Sequence, residues 1–169
     1  MKPILQTPRL LLRELNIKDA QNFYELNRNP NVIKFTGDLP FDSVSAAEKF
    51  LKNYKDYEKN GFGRWAVIEK ESGEFLGWCG LKFDGKETDI GFRFFEEHWN
   101  KGFATESAKA CLEYGFEELG LAEIIGRAMK ENLGSVKVLE KIGLKFIKEM
   151  EFELHPGVLY RIQKDEFIS

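Results

Sequence analysis

Between Arg64 and Leu119 the apolar pattern changes period once, and that change restricts the fold more than any other feature of the chain. Arg64 to Glu69, Glu74 to Phe83 and Thr88 to Phe95 are rich in aromatic and β-branched residues, with turn signals at Ser72-Gly73 and Asp84-Gly85 between them. Short runs separated by such turns predict an antiparallel meander of three strands. From about Phe103 to Leu119 the spacing becomes helical, with Ala104, Ala108, Cys111, Leu112, Phe116 and Leu119 on one face, and Gly120 stops the helix.

The flanking segments complete a single alternating pattern. Leu10 to Glu14 predicts a first strand, after which Asn16, with Asp19 three residues on, caps a helix carrying Ile17, Ala20, Phe23, Tyr24 and Leu26. Pro30 disfavours further helix. Ser45 with Glu48 reads as a capping box, and Ala47, Phe50, Leu51, Tyr54 and Tyr57 form a helical stripe ending near Asn60-Gly61. After the long helix come a strand from Ile124 to Met129, a short helix opened by Asn132 and closed by Gly143, and final strands over Leu144 to Glu149 and Leu159 to Lys164. The expected class is α+β with a mixed sheet. The 169 residues suit one domain spanning 1–169.

Composition narrows the function. A 43% hydrophobic content and 15 Phe exclude a disordered polar chain. Acidic residues outnumber basic ones by 28 to 25, so the basic excess of a nucleic-acid binder is missing and any phosphate site must be local. The longest apolar runs fall far short of the ~20 residues that cross a bilayer, and a cytoplasmic protein with no membrane partner is expected. Cys79, Cys111, His98 and His155 lack ligand or nucleophile spacing, so no metal is expected.

Trp99-Asn100-Lys101-Gly102-Phe103-Ala104-Thr105 is a small-residue loop between an aromatic strand and the long helix. The first turn of a helix leaves amide N–H groups unpaired at the positive end of its dipole, so a pyrophosphate can bind there without a basic surface. An ordinary connection whose Gly102 supplies a turn is the plainer alternative, since neither the Walker nor the dinucleotide glycine pattern is present.

Trp99 to Glu106 resembles the acetyl-coenzyme A signature of the GNAT superfamily of N-acetyltransferases, in the W-x-K-G-Y-A-T-E form of its RimJ/RimL-type branch. Thr7 to Arg13, Asp89-Ile90-Gly91-Phe92, and Asn132 to Ser135 followed by Leu139 to Leu144 resemble further motifs of that branch, in the same order. The resemblance implies a mixed, mostly antiparallel sheet of about seven strands, flanked by about four helices, with a splayed central strand pair. It implies acetyl-coenzyme A as co-substrate, with the backbone of Phe92, Arg93 and Phe94 pairing with the pantetheine arm. Asn100, Lys101, Gly102, Phe103, Ala104 and Thr105 would then cradle the pyrophosphate, and Asn132 and Ser135 would touch the cofactor.

The implied chemistry is attack of a neutral amine on a thioester, which needs a donor for the oxyanion, an acid for the leaving thiolate and an acceptor for the amine's proton. The resemblance gives the first role to the N–H near Phe94. The second falls to Ser135, because Leu139 replaces the tyrosine of other relatives. Asp89 and Glu87 are the candidate bases, Arg127 standing where some relatives carry a catalytic glutamate. Glu106 more plainly complements the helix dipole. The acceptor groove would be shaped by Asn16 to Gly61 and Phe152 to Arg161, where Asp38, Asp42, Glu151 and Glu153 favour a cationic amine, either a peptide or protein N-terminus or a small amine. Relatives commonly form homodimers. A non-catalytic acyl-coenzyme A binding module, kept open by Leu139, and a small nucleotide-binding module are the other readings.

Overall fold

A computed structural model describes residues 2–168. Along the chain run β1 (Leu5–Gln6), β2 (Leu10–Glu14), α1 (Ala20–Arg28), α2 (Pro30–Ile33), α3 (Val44–Lys52), α4 (Asp56–Asn60), β3 (Arg64–Glu69), β4 (Phe75–Phe83), β5 (Thr88–Phe94), α5 (Phe103–Glu117), β6 (Glu123–Met129), α6 (Leu133–Lys141), β7 (Lys145–Phe152) and β8 (His155–Gln163). The strands make one sheet of eight in the order β1-β2-β3-β4-β5-β6-β8-β7. Its eighth member is β1, a two-residue strand antiparallel to β2 and too short to show a period. Every neighbouring pair is antiparallel except β5 and β6, which run parallel and share one registered pair, Asp89 with Ile125. That is the expected central splay.

Side chains alternate across a strand, so the two faces of the sheet bury different sets. Cys79, Leu81, Ile90 and Ile124 pack with Ala108, Cys111, Leu112 and Phe116 of α5. On the other face Ala66 and Phe75 pack with Phe23 of α1 and with Ala47 and Leu51 of α3. No helix among the described residues is long and apolar enough to cross a membrane.

Four local expectations need correction. The cap of α3 is Ser43, whose hydroxyl accepts from the Ala46 N–H at 3.1 Å; Ser45 lies inside the helix. The stripe from Ala47 to Tyr57 is not one helix, because the chain breaks between Lys52 and Asp56. The break lets two phenols leave the stripe: Tyr54 accepts from the Arg64 N–H at 2.8 Å, and Tyr57 accepts from the Leu15 N–H at 2.9 Å while donating to the Arg64 carbonyl. Burial pushes the Tyr54 phenol up to about 12, so it stays protonated. Pro30 starts a one-turn helix, since a helix's first N–H needs no acceptor and the Asn29 side chain caps it. The last hairpin is longer at its tip, where Glu153 and Leu154 both take left-handed conformations, at φ 49° and 65°.

Candidate active site

The loop before α5 is fastened from the N-terminal segment. Arg9 donates through Nη1 to the Lys101 carbonyl at 2.9 Å and through Nε to Glu106 Oε1 at 2.8 Å, with its guanidinium 4.4 Å above the Phe103 ring. Thr7 donates to Glu106 Oε2 at 2.5 Å. Burial would raise the Glu106 carboxyl, but the Thr7 and Arg9 hydrogen bonds outweigh it and hold the group below its usual range. Glu106 is thus a fastener for the loop, a role its sequence position alone does not disclose. Gly102, at φ +81°, caps α5, and a side chain there would be strained as well as 3.2 Å from Arg9 Nη2. The indole of Trp99 donates to the Phe94 carbonyl at 2.9 Å and ties the loop to the end of β5.

Strand register sets which way β5 faces. Phe95 donates its N–H to the Leu76 carbonyl of β4. Alternation along an antiparallel ladder then turns the N–H and C=O groups of Phe92 and Phe94 away from β4, toward the gap beside β6. Their rings stay packed in the α5-side core, Phe94 being 5% exposed. Backbone and side chain of these two residues therefore serve different surfaces.

Two cavities open on the gap. The larger, about 750 Å³, runs along Phe94, Asn100, Gly102 to Thr105 and the start of α6. The smaller, about 510 Å³, has Arg64, Trp78, Asp89 and Arg127 in its lining, with Glu151 and Glu153 at its rim. Both are lined by Phe35, Thr36, Phe92, Arg93, Asn132 and Ser135, so they meet at those residues. Asn132 caps α6, its side chain accepting from the Ser135 N–H at 3.3 Å, while the Ser135 hydroxyl has no protein partner among the described residues. Leu139, 2% exposed, packs over Gly126 and fills with carbon the place where a tyrosine was expected in other relatives.

Of the expected cofactor contacts, Lys101 is exposed and lines neither cavity. Lys137 and Lys141 line the larger cavity instead. The sequence signal for them was their i, i+4 spacing on α6, which places both on one face. A glycine-opened helix start, an unpaired strand edge and these lysines fit a long nucleotide thioester.

The geometry around the two candidate bases is that of a clamp and a turn. Asp89 receives Arg64 Nη2 on Oδ1 at 2.7 Å and Arg127 Nη2 on Oδ2 at 2.6 Å. Burial pushes its carboxyl up, but the two guanidiniums prevail and hold it below the usual carboxylate range. A carboxylate with both oxygens so engaged is a poor proton acceptor at neutral pH. Gly91 makes the arrangement fit, since a Cβ there would lie 2.7 Å from Arg64 Cζ. Glu87 lines neither cavity; its backbone closes the Asp84 turn, the Glu87 N–H donating to Asp84 Oδ1 at 2.8 Å. Asp38, expected to attract a cationic acceptor, is spent on Arg93 Nη2 at 2.7 Å.

The parallel β5–β6 pair, the glycine-opened start of α5 and a second cavity meeting the first form one continuous candidate site, a layout that suits acyl transfer. Residues 9–145 match the family described as "Acetyltransferase (GNAT) domain". The chain is 34% identical over 149 residues to "Uncharacterized N-acetyltransferase p20" of Bacillus licheniformis, covering 86% of this chain and 83% of that protein. It is 33% identical over 188 residues to "FsC-acetyl coenzyme A-N(2)-transacetylase" of Aspergillus fumigatus, covering 99% of this chain and 79% of that one. Among solved structures, a GNAT-family acetyltransferase from Bacillus anthracis superposes with a TM-score of 0.82 at 28% identity, covering 96% of this chain and 99% of that one. The chain belongs to the GNAT family of acetyltransferases, and it is an acyl-coenzyme A-dependent enzyme.

Proposed function

We propose that residues 1–169 act as one N-acetyltransferase domain of the RimJ/RimL-type branch, moving acetyl from acetyl-coenzyme A to a primary amine within one ternary complex. The observation that carries this reading is the meeting of the two cavities at Phe92, Arg93, Asn132 and Ser135. A cofactor in the larger cavity and an amine in the smaller one would touch there without a covalent enzyme intermediate. The W-N-K-G-F-A-T-E sequence from Trp99 to Glu106 supports the branch. The name of the Aspergillus relative, with acetyl coenzyme A as donor and a nitrogen as acceptor, supports the reaction.

Bound acetyl-coenzyme A supplies an activated acetyl group and a thiol leaving group. The amides of Asn100 to Thr105 hold the pyrophosphate at the positive end of α5. Phe92 and Arg93 align the arm along β5, and Asn132 holds it from the other side. The Phe94 N–H, kept in the gap by the Trp99 bond to its own carbonyl, donates to the oxygen on which negative charge develops. Ser135 gives its hydroxyl proton to the departing sulfur and regains one through water from the acylated nitrogen. The amine loses its proton to water through the open smaller cavity, which leaves Asp89 as a clamp for Arg64 and Arg127.

The test combines calorimetric titration of coenzyme A with thiol release from acetyl-coenzyme A across a panel of peptides, polyamines and amino acids. Binding together with amine-dependent thiol release supports the transferase. Binding without release from any amine leaves a non-catalytic coenzyme A module.

A further inference from the structure

Charge bookkeeping in the smaller cavity points to the class of amine. Both aspartates of the lining are matched, Asp89 by Arg64 and Arg127 and Asp84 by Arg127 at 3.6 Å, and the lining Arg93 is matched by Asp38 from outside the cavity. What remains is cationic. Lys82 lines this cavity, is exposed and forms no ion pair among the described residues. Arg127 meets both its partners through Nη2, leaving its other N–H groups without an acceptor among the described residues. The opposite end is acidic, since Glu151 and Glu153 at the hairpin tip line the cavity, are exposed and form no ion pair among the described residues.

Register fixes the order of these groups. Lys82 lies level with Asp89 and, across the parallel pair, with Ile125; Met150 lies level with Gly157 and so with Met129. From Ile125 to Met129 is about 13 Å at the usual rise of a strand, and Arg127 stands halfway. Glu151 and Glu153 follow Met150, next to the junction of the two cavities. The cavity is therefore polarised along its length, negative where the amine reacts and positive about 7 to 13 Å away.

We propose that the acceptor is a zwitterion: a primary amine whose own carboxylate reaches Arg127 and Lys82 while its nitrogen lies at the Phe92–Ser135 junction. A polyamine would place its second ammonium against Lys82 and Arg127, and a neutral amide would leave their N–H groups without a charged partner. A carboxylate satisfies both cations, and a guanidinium suits its planar pair of oxygens. Glu151 and Glu153 attract the ammonium end at the rim, where water can take its proton before transfer. In the transfer the nitrogen forms a bond to the acetyl carbon, the carbon–sulfur bond breaks, nitrogen loses one proton and the thiol leaves.

This inference rests on the transferase reading, and the experiment separates the two. Acetylation rates are measured for α- and ω-amino acids of increasing chain length, for the matching amino amides, and for spermidine. At pH 8 the acids should exceed their amides in kcat/KM by about tenfold or more, as an added charge contact in a partly desolvated pocket does, and should also exceed spermidine. Lys82 is exposed, so Lys82→Glu should fold normally and shift the preference from the acids toward spermidine, while Lys82→Arg should keep it for the acids. Amides or spermidine turned over as well as the acids by the native enzyme, or an unchanged preference in Lys82→Glu, would overturn the zwitterion. No thiol release from any amine while coenzyme A still binds would overturn the transferase reading, and the zwitterion with it.

Discussion

Replacing Asp89 by asparagine separates a clamp from a base. Asparagine keeps the shape and one acceptor oxygen but removes the charge shared by Arg64 and Arg127, whose bonds to the native carboxylate are 2.7 and 2.6 Å long. Leaving buried charges without their partner costs about 3 to 5 kcal/mol. The three side chains are 13%, 17% and 26% exposed for Asp89, Arg64 and Arg127, so water partly relieves the last and the loss should fall near the lower limit. Because the folded-state carboxyl is held below its usual range, its stabilising effect is complete above the unfolded value near pH 4 and disappears as pH falls through the folded value. Urea unfolding of Asp89→Asn should therefore show a deficit of roughly 3 kcal/mol that is constant from about pH 5 to 8 and shrinks in more acid solution. Under chemistry-limited conditions its pH–rate profile should run parallel to that of the native enzyme, both rising as the amine deprotonates. A deficit under about 0.5 kcal/mol at pH 7, within the range of ordinary surface changes, would refute the clamp. So would a loss of rate confined to neutral pH and recovered at high pH, which is the behaviour of a missing base.

Gly102→Val forces a β-branched residue to φ +81° and toward Arg9, so coenzyme A affinity should fall about tenfold or more; calorimetry giving native affinity in the folded variant would show that the loop does not hold the phosphates. Ser135→Ala should lower kcat by roughly 10- to 1000-fold with coenzyme A affinity nearly unchanged, and equal kcat in a chemistry-limited assay would return the serine to a first-turn helix residue. Glu106→Ala leaves the Thr7 hydroxyl and Arg9 without their shared acceptor and should weaken coenzyme A by about tenfold through a loosened loop; unchanged affinity would mean the fastening is irrelevant to binding.

The meander and the cofactor loop were legible because each is written in consecutive residues. Ser72-Gly73 and Asp84-Gly85 mark their turns, and the stretch from Trp99 to Glu106 carries strand end, glycine and helix start together. The tip of the last hairpin was not legible, since Glu153 and Leu154 adopt left-handed backbone without any glycine or asparagine to signal it. Tyr54 and Tyr57 looked like members of a stripe because periodicity does not reveal that a ring's hydroxyl will serve a distant strand. The ion pairs of Asp89 were hidden for a related reason. Its partners lie 25 residues before and 38 after it, and only the order β3-β4-β5-β6 brings them to one carboxylate. The smaller cavity as a whole is of that kind, gathered from the turn after α2, β3, β4, β5, β6, α6 and the last hairpin.

One strand joins the two halves of the site. The odd residues of β5 turn their backbone to β4, and of these Asp89 and Arg93 turn their side chains to the proposed acceptor cavity while Gly91 leaves room beside them. The even residues, Ile90, Phe92 and Phe94, pack theirs under α5 and turn their backbone to the gap. A slip of one residue would exchange all four assignments at once, placing phenylalanine in the acceptor cavity and arginine in the core. Gly77 guards against this slip at the end where the chemistry is placed, for there β4 approaches so closely that a Cβ would lie 2.1 Å from the Arg93 carbonyl oxygen. The glycine of β4 thus helps fix which backbone N–H of β5 enters the gap, and the position of the proposed oxyanion donor follows from sheet register rather than from any side chain at the site.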